Sequence, residues 1–128
     1  MYKKFSFAAV AVVALLFFAA SCSKEKDNSK YFDQVSCTEA DDTLNHYDGK
    51  IKTILNMNCA KGGCHDAASH EEGINLSNYA SAVTGFKDNA LCTIYQDAGC
   101  KPMPEGSPKM SDATIHDLTC WAKNGYPQ

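Results

Sequence analysis

Apolar positions along this chain fall at helical spacing, and no segment alternates as a half-buried strand would. Tyr47, Ile51, Ile54 and Leu55 share one helical face and predict a first helix that ends near Met57, directly before Cys59. A second helix is expected after Ser77, a natural N-cap, with Tyr79 and Val83 on one side and Gly85 as its stop. A third short helix is expected from Asp88 through Leu91, Ile94 and Tyr95. The last opens at Ser111 or Asp112, carries Ile115, Leu118, Trp121 and Ala122 on one side, and stops at Gly125 with Pro127 beyond. Between these helices run long breaker-rich stretches: 60–75 is rich in Gly, His and charge, and Pro102, Pro104, Gly106 and Pro108 exclude regular structure around them. The pattern therefore predicts an all-α domain of three to four short helices with long loops. Loops of such length are unusual in so small a fold, and a buried prosthetic group would account for them.

The N-terminus follows a different pattern. Lys3 and Lys4 precede an apolar run from Phe5 to Ala20, which falls short of the roughly 20 residues a membrane-spanning helix needs. A basic start, a short apolar stretch and the small residues Ala19, Ala20 and Ser21 read as a secretory signal over 1–21. Cys22 follows at once, so Ala19-Ala20-Ser21-Cys22 resembles the lipoprotein processing site of bacteria, with Ala19 where leucine is usual. That resemblance implies cleavage before Cys22 and a lipid on its sulfur. Residues 22–36 begin polar and mixed in charge and are expected to form a flexible tether, leaving 37–128 as the folded domain. The start Cys22-Ser23-Lys24-Glu25 is similar to the export tags of Bacteroidetes surface lipoproteins. An outer-membrane, cell-surface or periplasm-facing location is the expectation.

Charge narrows the partners. Fifteen acidic residues face 12 lysines, two of which lie in the leader, and arginine is absent. Nothing basic enough to hold nucleic acid remains. The acidic balance instead favours a basic or neutral protein partner. Seven cysteines behind a secretion signal imply an oxidising compartment.

The centre of the sequence is Cys59-Ala60-Lys61-Gly62-Gly63-Cys64-His65. Covalent haem attachment uses Cys-x-x-Cys-His, in which two thiols add to the porphyrin vinyl groups and the adjoining histidine binds iron. Here four residues separate the cysteines instead of two. Because the vinyl spacing is fixed, the extra pair must loop outwards, and Gly62 with Gly63 supplies the backbone freedom for it. The motif is similar to the rarer Cys-x4-Cys-His variant. Two other readings compete: Cys59 and Cys64 bonded to each other, or Cys59, Cys64, His65 and His70 around zinc. Secretion weighs against zinc, since exported thiols tend to oxidise.

A second axial ligand is expected on an electron-transfer haem, often methionine. Met103 sits in Lys101-Pro102-Met103-Pro104, where the flanking prolines restrict the backbone. Met110, at the base of the last helix, is the second choice. Met57 lies too near Cys59 to reach the far side. His46, His70 and His116 are further candidates, each expected to be exposed. Trp121 is expected to pack in the core.

Taken together, Tyr47 to Asp66, Gly73-Ile74-Asn75-Leu76-Ser77-Asn78-Tyr79, Met103-Pro104 and the closing helix with Trp121 and Gly125 resemble the small cytochrome c domains of Bacteroidetes and Planctomycetes lipoproteins. The resemblance implies a cytochrome c-like fold around one haem c, covalent attachment at Cys59 and Cys64, and iron ligation by His65 and Met103. It also implies one-electron transfer to redox partner proteins of the cell envelope, with no enzymatic turnover. The competing class is a haem-free, disulfide-stapled surface lipoprotein that binds a protein or glycan. Hydrolytic chemistry finds no acid–base spacing and no serine elbow. The remaining Cys37, Cys92, Cys100 and Cys120 allow three pairings. Cys92 and Cys100 are close in sequence and would staple the approach to Met103; Cys37 with Cys120 would then tie the tether end to the last helix.

Overall fold

Ser111 starts the helix around which the rest of the chain is arranged. In the computed structural model, which describes residues 27–128, its hydroxyl accepts the Thr114 N–H at 3.2 Å. The helix that follows, Asp112–Lys123, ends where Gly125 takes φ +81°. Glycine adopts that left-handed conformation without steric cost. The boundaries expected from the apolar spacing are those observed. We number the α-helices in chain order as α1 (Ser29–Phe32), α2 (Glu39–Leu44), α3 (Lys52–Asn58), α4 (Tyr79–Gly85), α5 (Leu91–Tyr95) and α6 (Asp112–Lys123). The fold is all-α: the described residues form short helices joined by loops, with no strand among them. None of those helices is long and apolar enough to cross a membrane.

Apolar burial explains the packing. α6 presents Ile115, Leu118 and Trp121 to Ile51 and Leu55 of the first expected helix and to Phe86, Leu91 and Ile94, all within one buried cluster. Trp121 is fully buried, meets Phe86 and Tyr126 edge-on, and donates its indole N–H to the Pro127 carbonyl at 2.9 Å. Two buried polar residues on α6 are satisfied: Asp117 pairs with Lys50 at 2.6 Å, and Thr119 donates to the Ile115 carbonyl at 2.7 Å.

Three local features depart from the sequence reading. A π-helical stretch, Tyr47–Ile51, precedes α3, and another, Phe86–Ala90, joins α4 to α5. Gly85 therefore does not stop its helix. Its role is close approach: a Cβ there would lie 2.8 Å from Leu76 Cδ2, so glycine lets the Gly73–Leu76 segment pack against the helix. Asn78, one residue after the expected Ser77, caps α4 by accepting the Ser81 N–H.

The third departure concerns the tether. The leader over 1–21 and the lipidation candidate Cys22 lie outside the described residues. Of the expected flexible stretch 22–36, the part from Asp27 is packed on the domain. Tyr31 in α1 is 2% exposed, its hydroxyl donates to Asp97 at 2.9 Å, and its ring stacks on Tyr95. Lys123 donates to the Phe32 and Val35 carbonyls from the far end of α6. Tyr31 and Phe32 supply the apolar anchors that the polar run ahead of them obscures. Cys37 is bonded to Cys120, and α2, opened by a Thr38–Asp41 capping box, packs on the same side of α6. This covering explains why Cys120 is fully buried although it lies off the Ile115–Leu118–Trp121 stripe.

The cap on α6 gives a simple test of local stability. Ser111→Ala removes the acceptor for an otherwise unpartnered helix-end N–H, and the expected loss is ~1 kcal/mol. Urea unfolding followed by far-ultraviolet circular dichroism checks it; an unchanged midpoint would deny the cap a role.

Candidate functional site

The widened cysteine motif begins where α3 ends. The Cys59 N–H still bonds to the Leu55 carbonyl at 2.8 Å, so the first cysteine is fixed by the last helical turn. The next residues leave the helix and come back. A turn closes with the Cys64 N–H on the Lys61 carbonyl at 2.9 Å, and Gly63, its third residue, takes φ +82°. Such turn positions favour glycine because a side chain there is strained. The His65 N–H then reaches back to the Cys59 carbonyl at 3.1 Å. The insertion is thus set aside as a loop.

His65 is buried, 9% exposed, and tied at three points. Its backbone carbonyl accepts the Leu76 N–H at 2.8 Å, its N–H meets Cys59, and its Nδ1 lies 3.3 Å from the Ile74 carbonyl. A bond to a carbonyl requires the proton on Nδ1, which leaves the lone pair on Nε2. Metal-bound histidines are oriented in this way by a carbonyl or carboxylate behind the ring.

Cys59, Cys64 and His65 line a cleft of about 720 Å³, and so do both candidate methionines, Met103 and Met110. The volume lies inside the ~300–1,000 Å³ range of cofactor sites. Leu76, Phe86, Ile94 and Met110 give the cleft its apolar lining, while Glu71, Glu72, Asp88 and Glu105 bring carboxylates to it. Met103 is half-buried on the loop after α5, with its backbone N–H on the Thr93 carbonyl at 3.0 Å. Cys92 and Cys100 are bonded to each other and close the loop that delivers it. On either side of Met103, Lys101 pairs with Glu105 at 2.8 Å, and this contact holds the ammonium above its ordinary range. Met110, 8% exposed, belongs to the buried cluster below.

No family profile, curated protein or solved structure matches this chain.

Four of the six cysteines in the described residues are bridged, whereas Cys59 and Cys64 are free thiols. Burial pushes the Cys59 thiol up to about 11, opposed by Lys61 and reinforced by Cys64, so it stays neutral at physiological pH. An apolar surround suits a neutral thiol or thioether better than a thiolate. The zinc arrangement is not assembled. Among the described residues, the one group of His, Cys, Asp or Glu whose donor atoms gather within 4.8 Å is Asp41, His116 and Cys120, and the sulfur of Cys120 is already bonded to Cys37. His70 is exposed, with φ 45°, and is not a wall of the cleft. His46 and His116 also lie away from it, near the Gln128 and Ser36 carbonyls. Two free thiols, an oriented imidazole and a loop-borne thioether beside an apolar volume fit the donor set of haem c.

Residue spacing alone did not reveal the groups behind these donors. The Ile74 and Thr93 carbonyls are backbone atoms without a residue-type signal. Ser69 and Asp66, which brace the inserted loop, look in the sequence like ordinary polar loop residues. The Asp66 carboxylate accepts the Ser69 N–H at 2.7 Å, a contact that holds it below its ordinary range.

Proposed function

We propose that this chain is a monohaem c-type cytochrome that carries single electrons at the bacterial cell envelope, anchored by a lipid on Cys22. Haem c, when bound, supplies a one-electron iron couple. Cys59 and Cys64 would hold it covalently, and His65 and Met103 would ligate its iron. The observation that carries the reading is the convergence of Cys59, Cys64, His65 and Met103 on one cleft of cofactor size.

The remaining residues have physical tasks under this reading. The Ile74 carbonyl fixes the His65 ring and would keep the imidazole oriented toward a bound iron. Leu76, Phe86, Ile94 and Met110 exclude water, which favours the less charged ferrous site and raises the potential. Pro102, Pro104 and the Cys92–Cys100 bridge restrict the Met103 loop and would hold its sulfur in place on either iron charge. No substrate bond is made or broken. Redox proteins of the envelope are the partners, and the acidic balance favours those with a basic docking face.

Two measurements on one preparation test the proposal. The chain is expressed with its own leader beside a cytochrome c maturation system. A denaturing gel is expected to stain for haem, and the mature mass is expected to exceed that of the polypeptide by one haem plus the lipid. A colourless chain with Cys59 bonded to Cys64 would instead match a haem-free, disulfide-stapled binding protein, and the electron-carrier reading would fall.

A further inference from the structure

We infer that Ser69 is a positioning residue for covalent attachment, holding the inserted turn so that the Cys64 thiol, and not that of Cys59 alone, reaches its vinyl group. The inference rests on the haem reading above and adds a determinant outside the motif.

Hydrogen bonds, not packing, hold the two inserted glycines. Nothing lies within 4 Å of the place where a Cβ on Gly62 or Gly63 would sit. Side-chain packing therefore does not fix this turn. Glycine pays the largest entropy on being ordered, so two adjacent glycines leave the position of Cys64 loosely determined unless hydrogen bonds set it. Cys59 has no such difficulty, being held by the last turn of α3.

The turn has its own bonds, Cys64 N–H to the Lys61 carbonyl and His65 N–H to the Cys59 carbonyl, and Ser69 adds the restraint from outside it. Its Oγ accepts the Gly63 N–H at 2.8 Å, which fastens the turn one residue before Cys64. Its own N–H is held by Asp66 Oδ1 at 2.7 Å, so the hydroxyl is presented from a braced turn. The Glu71 N–H on the Cys64 carbonyl at 3.0 Å completes the brace from the other side. Ser69 itself is exposed and is not a wall of the cleft. Any effect it has on attachment must pass through Gly63.

The covalent step balances without an added oxidant. The Cys64 S–H adds across a vinyl C=C: sulfur bonds to the carbon nearer the ring, hydrogen goes to the terminal carbon, and the double bond becomes single. Loosening the Gly63 restraint lowers the population in which sulfur and vinyl meet while the Cys59 linkage still forms. Loss of one neutral hydrogen bond is expected to reduce that population about fivefold.

The experiment compares wild type, Ser69→Ala, Ser69→Thr and Asp66→Ala, each as the full chain matured in cells. The readouts are the α-band of the pyridine haemochrome, which moves to longer wavelength when a vinyl group stays unsaturated, and a count of free thiols by mass. Ser69→Ala is expected to show the shifted band with Cys64 unmodified in part of the material. Ser69→Thr, which keeps the hydroxyl, is expected to match wild type. Asp66→Ala, which releases Ser69 without touching Gly63, is expected to shift in the same direction and guards against a failure peculiar to the alanine at 69. A general loss of folding would lower yield in every variant but leave the band of the surviving holoprotein in place. Wild type with haem, together with unshifted bands and two thioethers in both alanine variants, overturns the role of Ser69 alone. Wild type without haem overturns the cytochrome reading and this role with it.

Discussion

Changing Cys59 and Cys64 together to alanine is expected to abolish haem staining on a denaturing gel entirely, while the helical signal of the soluble chain persists. The effect is all-or-none because only a covalent bond survives denaturation. Axial bonds of the kind proposed for His65 and Met103 would break when the fold is lost, so they would hold no stain. Each single variant leaves one thiol in the cleft and is expected to retain a stained band with the longer-wavelength absorption of a single thioether. The fold should tolerate the double change. Both residues are only partly buried, neither is bridged, and the fully buried positions Ile51, Leu55, Leu118 and Trp121 are untouched. His65→Ala gives a different pattern, because the thiols remain while the nitrogen positioned by the Ile74 carbonyl is gone. Some covalent haem is expected there, with a changed visible spectrum. A double cysteine variant that still stains would place attachment elsewhere and would dismantle the assignment.

The readable parts of this protein are those set by a side chain's own preferences. α6 was legible because Ser111 caps it, its apolar positions recur at helical spacing, and Gly125 ends it in a left-handed conformation. The outward bulge between Cys59 and Cys64 was legible for the same kind of reason, and Gly63 takes the positive φ that its glycine permits. The thiols and His65 could be singled out by residue type and spacing, Met103 by its flanking prolines and the family resemblance, and the cleft gathers them. What was illegible depends on tertiary neighbours. Gly85 read as a helix stop, yet it serves the approach of Leu76 from a segment nine residues earlier. The stretch from Asp27 read as part of a tether, because the value of Tyr31 and Phe32 as anchors exists only once Tyr95 and Lys123 are in place. α2 carries no apolar stripe and is held by its capping box and by the Cys37–Cys120 bridge beside it. The Ile74 and Thr93 carbonyls follow from the path of the backbone, which residue type does not encode.

Two methionines reach the cleft, and their surroundings predict opposite outcomes for the same substitution. Met103 sits on an exposed loop, and its backbone is fixed on both sides: by the Thr93 carbonyl, by flanking prolines, and by the Cys92–Cys100 bridge just before it. So much restraint around a half-buried thioether suits a ligand and contributes little to a core. Met110 is buried with Ile115 and Ile94 at the base of α6, where a flexible thioether fills space. Met103→Ala is therefore expected to erase the weak far-red absorption of sulfur on ferric haem and to lower the potential on the order of 0.2 V, a fraction of the ~0.8 V span that axial ligands command. Its unfolding midpoint should move little. Met110→Ala is expected to keep the absorption, to lower the potential far less than Met103→Ala does, and to cost ~2–5 kcal/mol of stability, from lost transfer energy and the cavity left behind. Absorption spectra, redox titration and urea unfolding of the two variants form one comparison. Loss of the sulfur band in Met110→Ala with its retention in Met103→Ala would reverse the assignment, and retention in both would leave the distal face to a ligand other than methionine. The separation is sharp because the restraint on Met103 acts on its loop, whereas the burial of Met110 acts on the helix it supports.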